Sequence, residues 1–557
     1  MKVKGAQILI QALEREGVDV AFGYPGGVVI PIFDALYDSK KINFYLTRHE
    51  QAAAHAADGY ARATGKVGVC IATSGPGACN LVTGIATANM DSVPMVAFTG
   101  QVKTNLIGND AFQEADITGI TRPITKHNYL VRRVEDLTRV VQEAFHIART
   151  GRPGPVLVDL PVDVSNSEYE PTFAESVALP GYKPTYEGNP RQIERVAEAI
   201  NGAKRPVLYA GGGCIISDCC RELRQLADKA GIPVTNTLLG LGSFPGDHPL
   251  SLQMLGMHGT VWANYAVHNA DVLIAIGARF DDRITGKIAA FAPGAKIVHI
   301  DIDPTAISKS IRVDVPIVGD AKRILKKLLP LVKKRSHPEW LAQIEEWKKK
   351  FPLKYGADGL RPQYVVEKIW ELTRNRDTVI TTEVGQNQMW AAQFYKYSKP
   401  RSFLSSGGMG TMGFGLPAAI GAQLGRPGSL VIDIAGDGSI QMNIQELTTA
   451  VRLKLPIKIA LLNNSYLGMV RQWQELFYHR RYSQTVLEDN PDFVKVAEAF
   501  GAKGIRVTKR DEVVPALKEA FRSRECVMLD FQVTREENVF PMIPAGEAVD
   551  RMIGGMA

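Results

Sequence analysis

Short apolar runs alternate with stretches of helical periodicity along most of the chain. The clearest pair lies near the end: one apolar run, 430–435, stops at a Gly-Asp-Gly-Ser motif, and a second, 457–462, stops at two asparagines. The stretch 443–455 between them alternates apolar and polar positions at helical spacing, which predicts a strand, helix, strand crossover. The same alternation elsewhere predicts the α/β class, with parallel sheets covered by helices on both faces.

This crossover predicts that Asp437 and Asn464 lie close together, because parallel neighbours bring their carboxyl ends to one edge of the sheet. Carboxylate and amide oxygens suit a hard divalent cation, and Mg2+ prefers few protein ligands together with phosphates and water. Gly436 and Gly438 would let a diphosphate approach the backbone, and Ser439 closes the motif. Taken alone, the motif is as typical of an ordinary helix cap as of a metal site.

Two interruptions divide the pattern, one rich in Pro, Glu, Tyr and Gly at 165–190 and one basic at 333–361. A chain of 557 residues is long enough for three domains. We predict units at 1–165, 190–335 and 362–540, followed by a mobile tail at 541–557.

Composition is that of a soluble globular protein and does not favour nucleic-acid binding. The 65 basic and 58 acidic residues give a net charge of +7, and much of that excess lies in 322–354, which we interpret as a solvated helical connector. No apolar run is long enough to span a bilayer and no signal peptide is recognisable, so we expect a cytoplasmic protein without a membrane partner. The six cysteines show no zinc-ligand spacing, which indicates reduced thiols.

Glu50 follows a predicted strand at 42–47 and lies on the first turn of an alanine-rich helix. By position alone it is an acid that helps a helix to start. The nearby motifs at 24–27 and 73–77, together with the Asp437 and Asn464 pair, resemble the thiamine-diphosphate-dependent enzymes. That resemblance implies that Glu50 hydrogen-bonds the aminopyrimidine ring, and that Mg2+ is bound by Asp437, Asn464 and the carbonyl of Tyr466. It also implies a homodimer or homotetramer, because this family builds each site from two subunits.

The middle unit contains three further motifs, at 255–260, 277–283 and 299–303. Each could be a turn, a helix cap or a surface ion pair. As a set they resemble the acetohydroxyacid synthase family, whose central domain binds FAD. The middle unit has no Gly-x-Gly-x-x-Gly fingerprint. The three glycines at 211–213 would instead let a ligand come close to the backbone. The resemblance implies flavin contacts from Arg152, Gly212, His258, Arg279, Asp301 and Asp320.

The resemblance runs nearly from end to end and implies three tandem doubly wound parallel-sheet domains, which bind the pyrimidine, the flavin and the diphosphate. Further implied site residues are Gln113 near the reacting centre, Gly385 and Gln386 near the diphosphate, and Met412 beneath the bend of the thiamine cofactor. Two positions depart from the family pattern. Val162 stands where many members carry lysine, and Asn387 stands where many carry histidine, although an asparagine amide can still donate to a phosphate.

The implied reaction decarboxylates pyruvate on thiamine diphosphate and transfers the two-carbon unit to a second 2-oxo acid. The product is 2-acetolactate, or 2-aceto-2-hydroxybutyrate from 2-oxobutyrate, in the first common step of branched-chain amino-acid biosynthesis. We hypothesise that Arg283 binds the acceptor's carboxylate and that Trp473 contacts its side chain. A small regulatory subunit is a further partner that the resemblance implies.

Three alternatives remain open at this point. A pyruvate oxidase on the same scaffold would use the flavin as an electron acceptor, and a catabolic acetolactate-forming enzyme would lack the flavin. A noncatalytic protein could retain the fold without the reaction.

Overall fold

The first unit contains a six-stranded parallel sheet of order β3-β2-β4-β5-β7-β6, with a small antiparallel pair, β1-β8, beside it. The structure, a computed structural model, describes residues 1–554. The strands of this unit are β1 Val3–Lys4, β2 Val20–Tyr24, β3 Asn43–Leu46, β4 Gly68–Ala72, β5 Met95–Gln101, β6 His127–Leu130, β7 Pro155–Pro161 and β8 Glu168–Tyr169. Its helices are α1 Gly5–Arg15, α2 Ile30–Asp38, α3 Glu50–Thr64, α4 Pro76–Asn80, α5 Val82–Asp91, α6 Ile117–Thr121, α7 Leu137–Arg149 and α8 Val162–Asn166.

The middle unit forms a second parallel sheet, of order β11-β10-β9-β12-β13-β14. Its strands are β9 Pro206–Ala210, β10 Val234–Asn236, β11 Ser251–Met254, β12 Val272–Ile276, β13 Lys296–Asp301 and β14 Val315–Val318. Its helices are α9 Pro190–Gly202, α10 Gly212–Ile216, α11 Cys220–Ala230, α12 Val261–His268, α13 Asp282–Thr285, α14 Ala321–Leu328 and α15 Pro338–Lys350.

The last unit forms the third parallel sheet, of order β16-β15-β17-β18-β20-β19. Its strands are β15 Thr378–Thr382, β16 Phe403–Leu404, β17 Leu430–Gly436, β18 Lys458–Asn463, β19 Lys503–Val507 and β20 Val527–Gln532. Its helices are α16 Pro362–Thr373, α17 Gln386–Phe394, α18 Gly415–Gly425, α19 Asp437–Ile440, α20 Leu447–Arg452, α21 Gly468–Phe477, α22 Phe493–Ala499 and α23 Val513–Arg522.

Both faces of each sheet are buried, as the continuous apolar runs predict. In β4, for example, Val69 and Ile71 pack into one hydrophobic cluster, whereas Cys70 and Ala72 pack into another on the opposite face. The predicted α/β class with three parallel sheets is therefore confirmed. No helix within residues 1–554 is both long and apolar enough to cross a membrane.

The strand orders create a crevice in each sheet at the point where the chain reverses its winding. These crevices open between β2 and β4, between β9 and β12, and between β15 and β17. Ligands of doubly wound sheets bind outside the carboxyl ends of the strands at such points. Each crevice is bordered by loops whose motifs the sequence singles out, including 24–27, 211–213 and 436–439.

Helix α3 of the first unit packs directly against helix α18 of the last unit within the same chain. The two backbones approach so closely that a Cβ atom at Gly59 would collide with the carbonyl oxygen of Ala418, and one at Gly421 with that of Ala56. Small residues permit this approach, and it fixes the N-terminal end of α3, where Glu50 lies, relative to the last sheet.

Two predictions about local structure were wrong. The stretch 443–455 does not form one helix: a 3-10 segment, Gln441–Glu446, precedes α20, and Asn443 has non-helical dihedral angles (φ −135°, ψ 28°). The predicted mobile tail also packs against the middle unit, where Ile543, Val549 and Met552 are buried in its core. Their burial outweighs the effect of the nearby prolines and glycines. Residues 555–557 of that predicted tail lie outside the described residues.

Candidate active site

Asp437 and Asn464 lie side by side at the carboxyl edge of the last sheet. The backbone N–H of Asn464 is 3.4 Å from Asp437 Oδ1, and both residues are buried. Burial raises the pKa of the Asp437 carboxyl to about 6. The second carboxylate oxygen, Oδ2, accepts a hydrogen bond of 2.7 Å from the Asn490 amide, which the sequence analysis missed.

The oxygens at this edge fit a hard divalent cation. Asp437 supplies carboxylate oxygens, Asn464 an amide oxygen, and Tyr466, two residues further on, a backbone carbonyl. The Asn464 Oδ1 atom also accepts a hydrogen bond of 3.2 Å from the Tyr466 N–H. Among residues 1–554 no group of three or more His, Cys, Asp or Glu side chains could form a metal site. A site with few protein ligands, completed by phosphates and water, is what Mg2+ prefers.

The loops around Asp437 leave room for a diphosphate. Gly385, at the start of α17, has a φ of 152°, and Gln386 follows as the first residue of that helix. A side chain at Gly438 would contact Leu467 at 2.7 Å. Ser439 is buried at this edge, and its hydroxyl lies beside the Glu383 carboxylate.

Asn387 is not free to donate to a phosphate, in contrast to the sequence interpretation. Its amide nitrogen donates to the carbonyl oxygens of Glu383 and Ile434, at 3.1 and 2.8 Å. Both N–H groups are therefore used to tie α17 to the sheet. Its Oδ1 atom lies instead 3.1 Å from the place where a Cβ at Gly436 would be. Val162 is half-buried and begins α8, and nothing in the structure explains the loss of the family's lysine there.

Met412 lies on a loop that is held by a buried acid, Glu383, which the sequence analysis did not identify. The Glu383 carboxylate accepts hydrogen bonds from the N–H groups of Gly413 and Leu416, at 2.7 and 3.2 Å. Burial raises its pKa to about 7. The pKa of neighbouring Asp433 is raised as well, by burial and by the charge of Glu383. The sequence offered two signals: Asp433 lies inside the apolar run of β17, and Glu383 directly follows β15.

One cavity of about 640 Å3 opens beside this loop and is shared by all three units. Residues of the predicted flavin set and of the predicted substrate set line the same space. They are Arg152, Gly212, His258, Arg279, Arg283, Asp301, Asp320, Gly385, Met412 and Trp473. The predicted residues that do not line it are Glu50, Gln113, Gln386, Gly436, Asp437, Gly438, Ser439, Asn464 and Tyr466.

The part of the cavity in the middle unit suits an extended dinucleotide. It lies at the crevice between β9 and β12, where Gly213 and Gly277 approach so closely that a Cβ on Gly213 would lie 2.6 Å from the Gly277 Cα. His258 is buried, its pKa is lowered to about 4 by burial, and its Nδ1 has no partner within the described chain. A neutral imidazole with a free nitrogen is a hydrogen-bonding group for a ligand.

The charged residues of this crevice are already partly engaged. Arg152 Nη1 lies 3.2 Å from Asp303 Oδ2, and Arg279 Nη2 lies 3.0 Å from Asp281 Oδ2. Asp301 accepts a hydrogen bond from the Asp303 N–H at 2.8 Å. The carboxylate of Asp320 is engaged as well. It caps α14 through the Arg323 N–H, at 2.9 Å, and accepts from the Ser217 hydroxyl, at 2.7 Å.

Arg283 and Trp473 face each other across the cavity. The Arg283 guanidinium lies 5.3 Å from the centre of the Trp473 indole ring, within cation–π range. The indole Nε1 has no partner in the described residues. The structure therefore brings together a cation and an aromatic wall from two different units, which the sequence alone could not place in contact.

Glu50 and Gln113 lie apart from this cavity within a single chain. Glu50 is half-buried at the start of α3, where its Oε2 atom accepts a hydrogen bond of 3.0 Å from the Asn80 amide. Gln113 is exposed, has a φ of 57°, and lies on a loop whose carbonyl contacts Gly75. Within one chain, neither residue lines the space that Arg283, Trp473 and Met412 share.

Comparisons with known proteins identify the family of the chain. Residues 3–120, 193–328 and 383–531 match the models of the N-terminal TPP binding domain, the central domain and the C-terminal TPP binding domain of thiamine pyrophosphate enzymes. The chain is 52% identical to the acetolactate synthase large subunit of Mycobacterium tuberculosis, over 99% of this chain and 91% of that protein. It is 48% identical to the isozyme 3 large subunit of Escherichia coli, over 99% and 98%.

The chain belongs to the acetolactate synthase family of thiamine pyrophosphate enzymes. The relationship extends to archaea, since a probable acetolactate synthase large subunit of Methanocaldococcus jannaschii is 52% identical over 99% of this chain and 95% of that protein. The edge at Asp437 and Asn464 lies within the segment that matches the C-terminal TPP binding domain. The resemblance that the motifs suggested is therefore confirmed for the whole chain.

Proposed function

We propose that this chain is the catalytic subunit of an acetolactate synthase that decarboxylates pyruvate and joins the two-carbon unit to a second 2-oxo acid. The observation that carries the proposal is the shared cavity, in which Met412 of the cofactor loop faces the same space as Arg283 and Trp473. When bound, thiamine diphosphate supplies the nucleophilic carbon and the electron sink that this decarboxylation requires. The protein must then bind, orient and discriminate the acceptor.

The residues of this chain divide that work between them. Asp437, Asn464 and the Tyr466 carbonyl would hold Mg2+, and Glu50 of another subunit would hold a proton at the cofactor's aminopyrimidine ring. Arg283 binds the acceptor's carboxylate through a bidentate hydrogen bond. The free edge of Trp473 bounds the space for the acceptor's side chain.

In this proposal His258, Arg152 and Gly212 would hold FAD in the crevice between β9 and β12, and the flavin would take no part in electron transfer. The domains divide at 1–165, 190–335 and 362–540. We further propose a homodimer as the smallest active unit and a separate small regulatory subunit as a partner, since the relatives named above are called large subunits.

Product analysis of the purified protein tests the proposal. With pyruvate and 2-oxobutyrate, we expect 2-acetolactate and 2-aceto-2-hydroxybutyrate, and we expect both to disappear when thiamine diphosphate or Mg2+ is omitted. Anaerobic pyruvate should leave the flavin absorbance largely unchanged. Rapid bleaching of that absorbance would instead indicate an oxidase, and a colourless, active protein would exclude the flavin.

Trp473→Leu is expected to reduce the preference for 2-oxobutyrate over pyruvate as acceptor. Loss of an aromatic wall around one extra methylene costs about 1–3 kcal/mol, so the product ratio should fall by roughly tenfold. Competition between the two acceptors, followed by chromatography of the products, measures this ratio. Trp370→Leu, the same change on α16 away from the cavity, is the matched control. An unchanged ratio in Trp473→Leu would remove this residue from the acceptor site.

A further inference from the structure

A chain of three buried side-chain amides connects the C-terminal segment to Asn464. It begins at Gln472 on α21, a fully buried residue to which the sequence assigned no role. The N–H of Val539 donates to Gln472 Oε1 at 2.8 Å, and Gln472 Nε2 donates to the Val539 carbonyl at 3.0 Å. A backbone N–H can only donate and a carbonyl can only accept, so Val539 fixes which end of the Gln472 amide is oxygen.

The orientation of the Gln472 amide in turn determines the orientation of the Gln386 amide. The end of Gln386 that faces Gln472 Oε1, at 3.0 Å, also faces the carbonyl of Glu537, at 2.9 Å. Two acceptors require a donor between them, so this end of Gln386 is its NH2 group. Its oxygen, Oε1, therefore faces the other way, towards Asn464.

Asn464 is the last amide of the chain. Its Nδ2 donates to Gln386 Oε1 at 3.1 Å, which assigns the NH2 group to that side and leaves Oδ1 on the other. The oxygen is the atom that a hard cation binds, whereas an amide turned by 180° would offer two N–H donors and repel the cation. Asn464 is thus held at both ends of its amide: the Tyr466 N–H donates to Oδ1, and Gln386 Oε1 accepts from Nδ2. The second of these contacts depends on Val539 through the two glutamines.

Gly468 keeps open the space in which two of these amides meet. A Cβ atom at this position would collide with Gln386 Oε1 and would lie 2.8 Å from Asn464 Nδ2. Gly468 begins α21, the helix that also carries Gln472 and Trp473. The contact between the Gln386 and Asn464 amides therefore requires glycine at position 468, which is a second, independent observation in support of the amide chain.

We propose that Gln472 is a positioning residue for the metal ligand Asn464, acting through Gln386 and held in register by the backbone of the 537–539 segment. The proposal rests on the proposed function, because it takes Asp437, Asn464 and Tyr466 as the Mg2+ ligands. It goes further in coupling the metal site to the C-terminal segment and to α21.

Gln472→Met tests the proposal, because methionine has a similar length but cannot donate to Val539 or present an amide oxygen to Gln386. Isothermal titration calorimetry of Mg2+ into protein with excess thiamine diphosphate should give a dissociation constant raised by about 10–100-fold, as is typical when a partner of a metal ligand is lost. At saturating Mg2+ we expect kcat within about twofold of the wild-type value. Gly468→Ala should raise the same dissociation constant by an independent route.

Gln423→Met is the matched control. Gln423 is also buried and donates to three backbone carbonyls, those of Arg426, Pro427 and Ser429, at the far end of α18. Its loss should lower thermal stability without changing the Mg2+ dissociation constant. Gln472→Glu retains the oxygen that Val539 and Gln386 require, and should bind Mg2+ more tightly than Gln472→Met.

The outcomes separate the inference from the function it depends on. If Gln472→Met and Gly468→Ala bind Mg2+ as wild-type protein does, the inference is overturned while the proposed function stands. If the wild-type protein itself binds thiamine diphosphate without any need for Mg2+, the proposed function fails first.

Discussion

Glu50→Gln is expected to lower the rate of acetolactate formation by about 10²–10⁴-fold, the usual contribution of a positioned acid or base. Only a carboxyl group can alternate between holding and releasing a proton at the cofactor, and glutamine cannot. The change is nearly isosteric, and the hydrogen bond from Asn80 to the retained oxygen at Oε2 can persist. The fold and the binding of thiamine diphosphate with Mg2+ should therefore be preserved.

Two measurements separate these expectations: initial rates with pyruvate, and calorimetric binding of the cofactor. Glu14→Gln is the matched control, since Glu14 is also half-buried in the first unit and accepts one side-chain hydrogen bond, from Ser39, at 2.8 Å. It should retain full activity. More than half of the wild-type rate in Glu50→Gln would exclude the acid from the mechanism.

The meeting of Asp437 and Asn464 could be predicted from the sequence because it depends on two simple rules. Continuous apolar runs form buried parallel strands, and a right-handed crossover aligns the ends of neighbours. Strand β17 pairs with β18 in parallel as expected. The details of the connection could not be predicted. Asn443 leaves the helical conformation and donates through its side chain to the carbonyl of Gly413, at 2.7 Å. That partner is 30 residues away in sequence and on another loop.

The chain of amides that contacts Asn464 could not be predicted from the sequence either. Gln472 lies in an amphipathic helix, where a lone glutamine is typical of a solvated face. Its partner Val539 is 67 residues away, next to the segment that was predicted to be a mobile tail. Long-range hydrogen bonds of neutral residues leave no periodic signal. The motifs that the sequence did reveal are those with glycines and acids at strand ends, where local geometry and chemistry coincide.

We predict that each active site takes residues from two chains, and this prediction can be tested directly. Among residues 1–554 of one chain, the Glu50 carboxylate accepts a hydrogen bond from Asn80 of its own unit and makes none to the last unit. In the proposed function it acts in the site of a second copy. In a two-fold symmetric dimer each site then takes Glu50 from one subunit and Asp437 from the other. A variant of either residue inactivates both sites of its homodimer, because Asp437→Ala removes a carboxylate ligand of Mg2+.

Mixed dimers of Glu50→Gln and Asp437→Ala chains, co-expressed with different affinity tags and purified through both, are therefore expected to recover about half of the wild-type activity. One of their two sites combines both substitutions, and the other combines neither. If each site lay within one chain, every site would carry one substitution and the mixed dimer would be as inactive as its parents. Doubly tagged dimers with Glu50→Gln in both chains are the negative control. Recovery from near zero to half depends only on which chain supplies which residue, so it does not rest on any assumed rate for the individual variants.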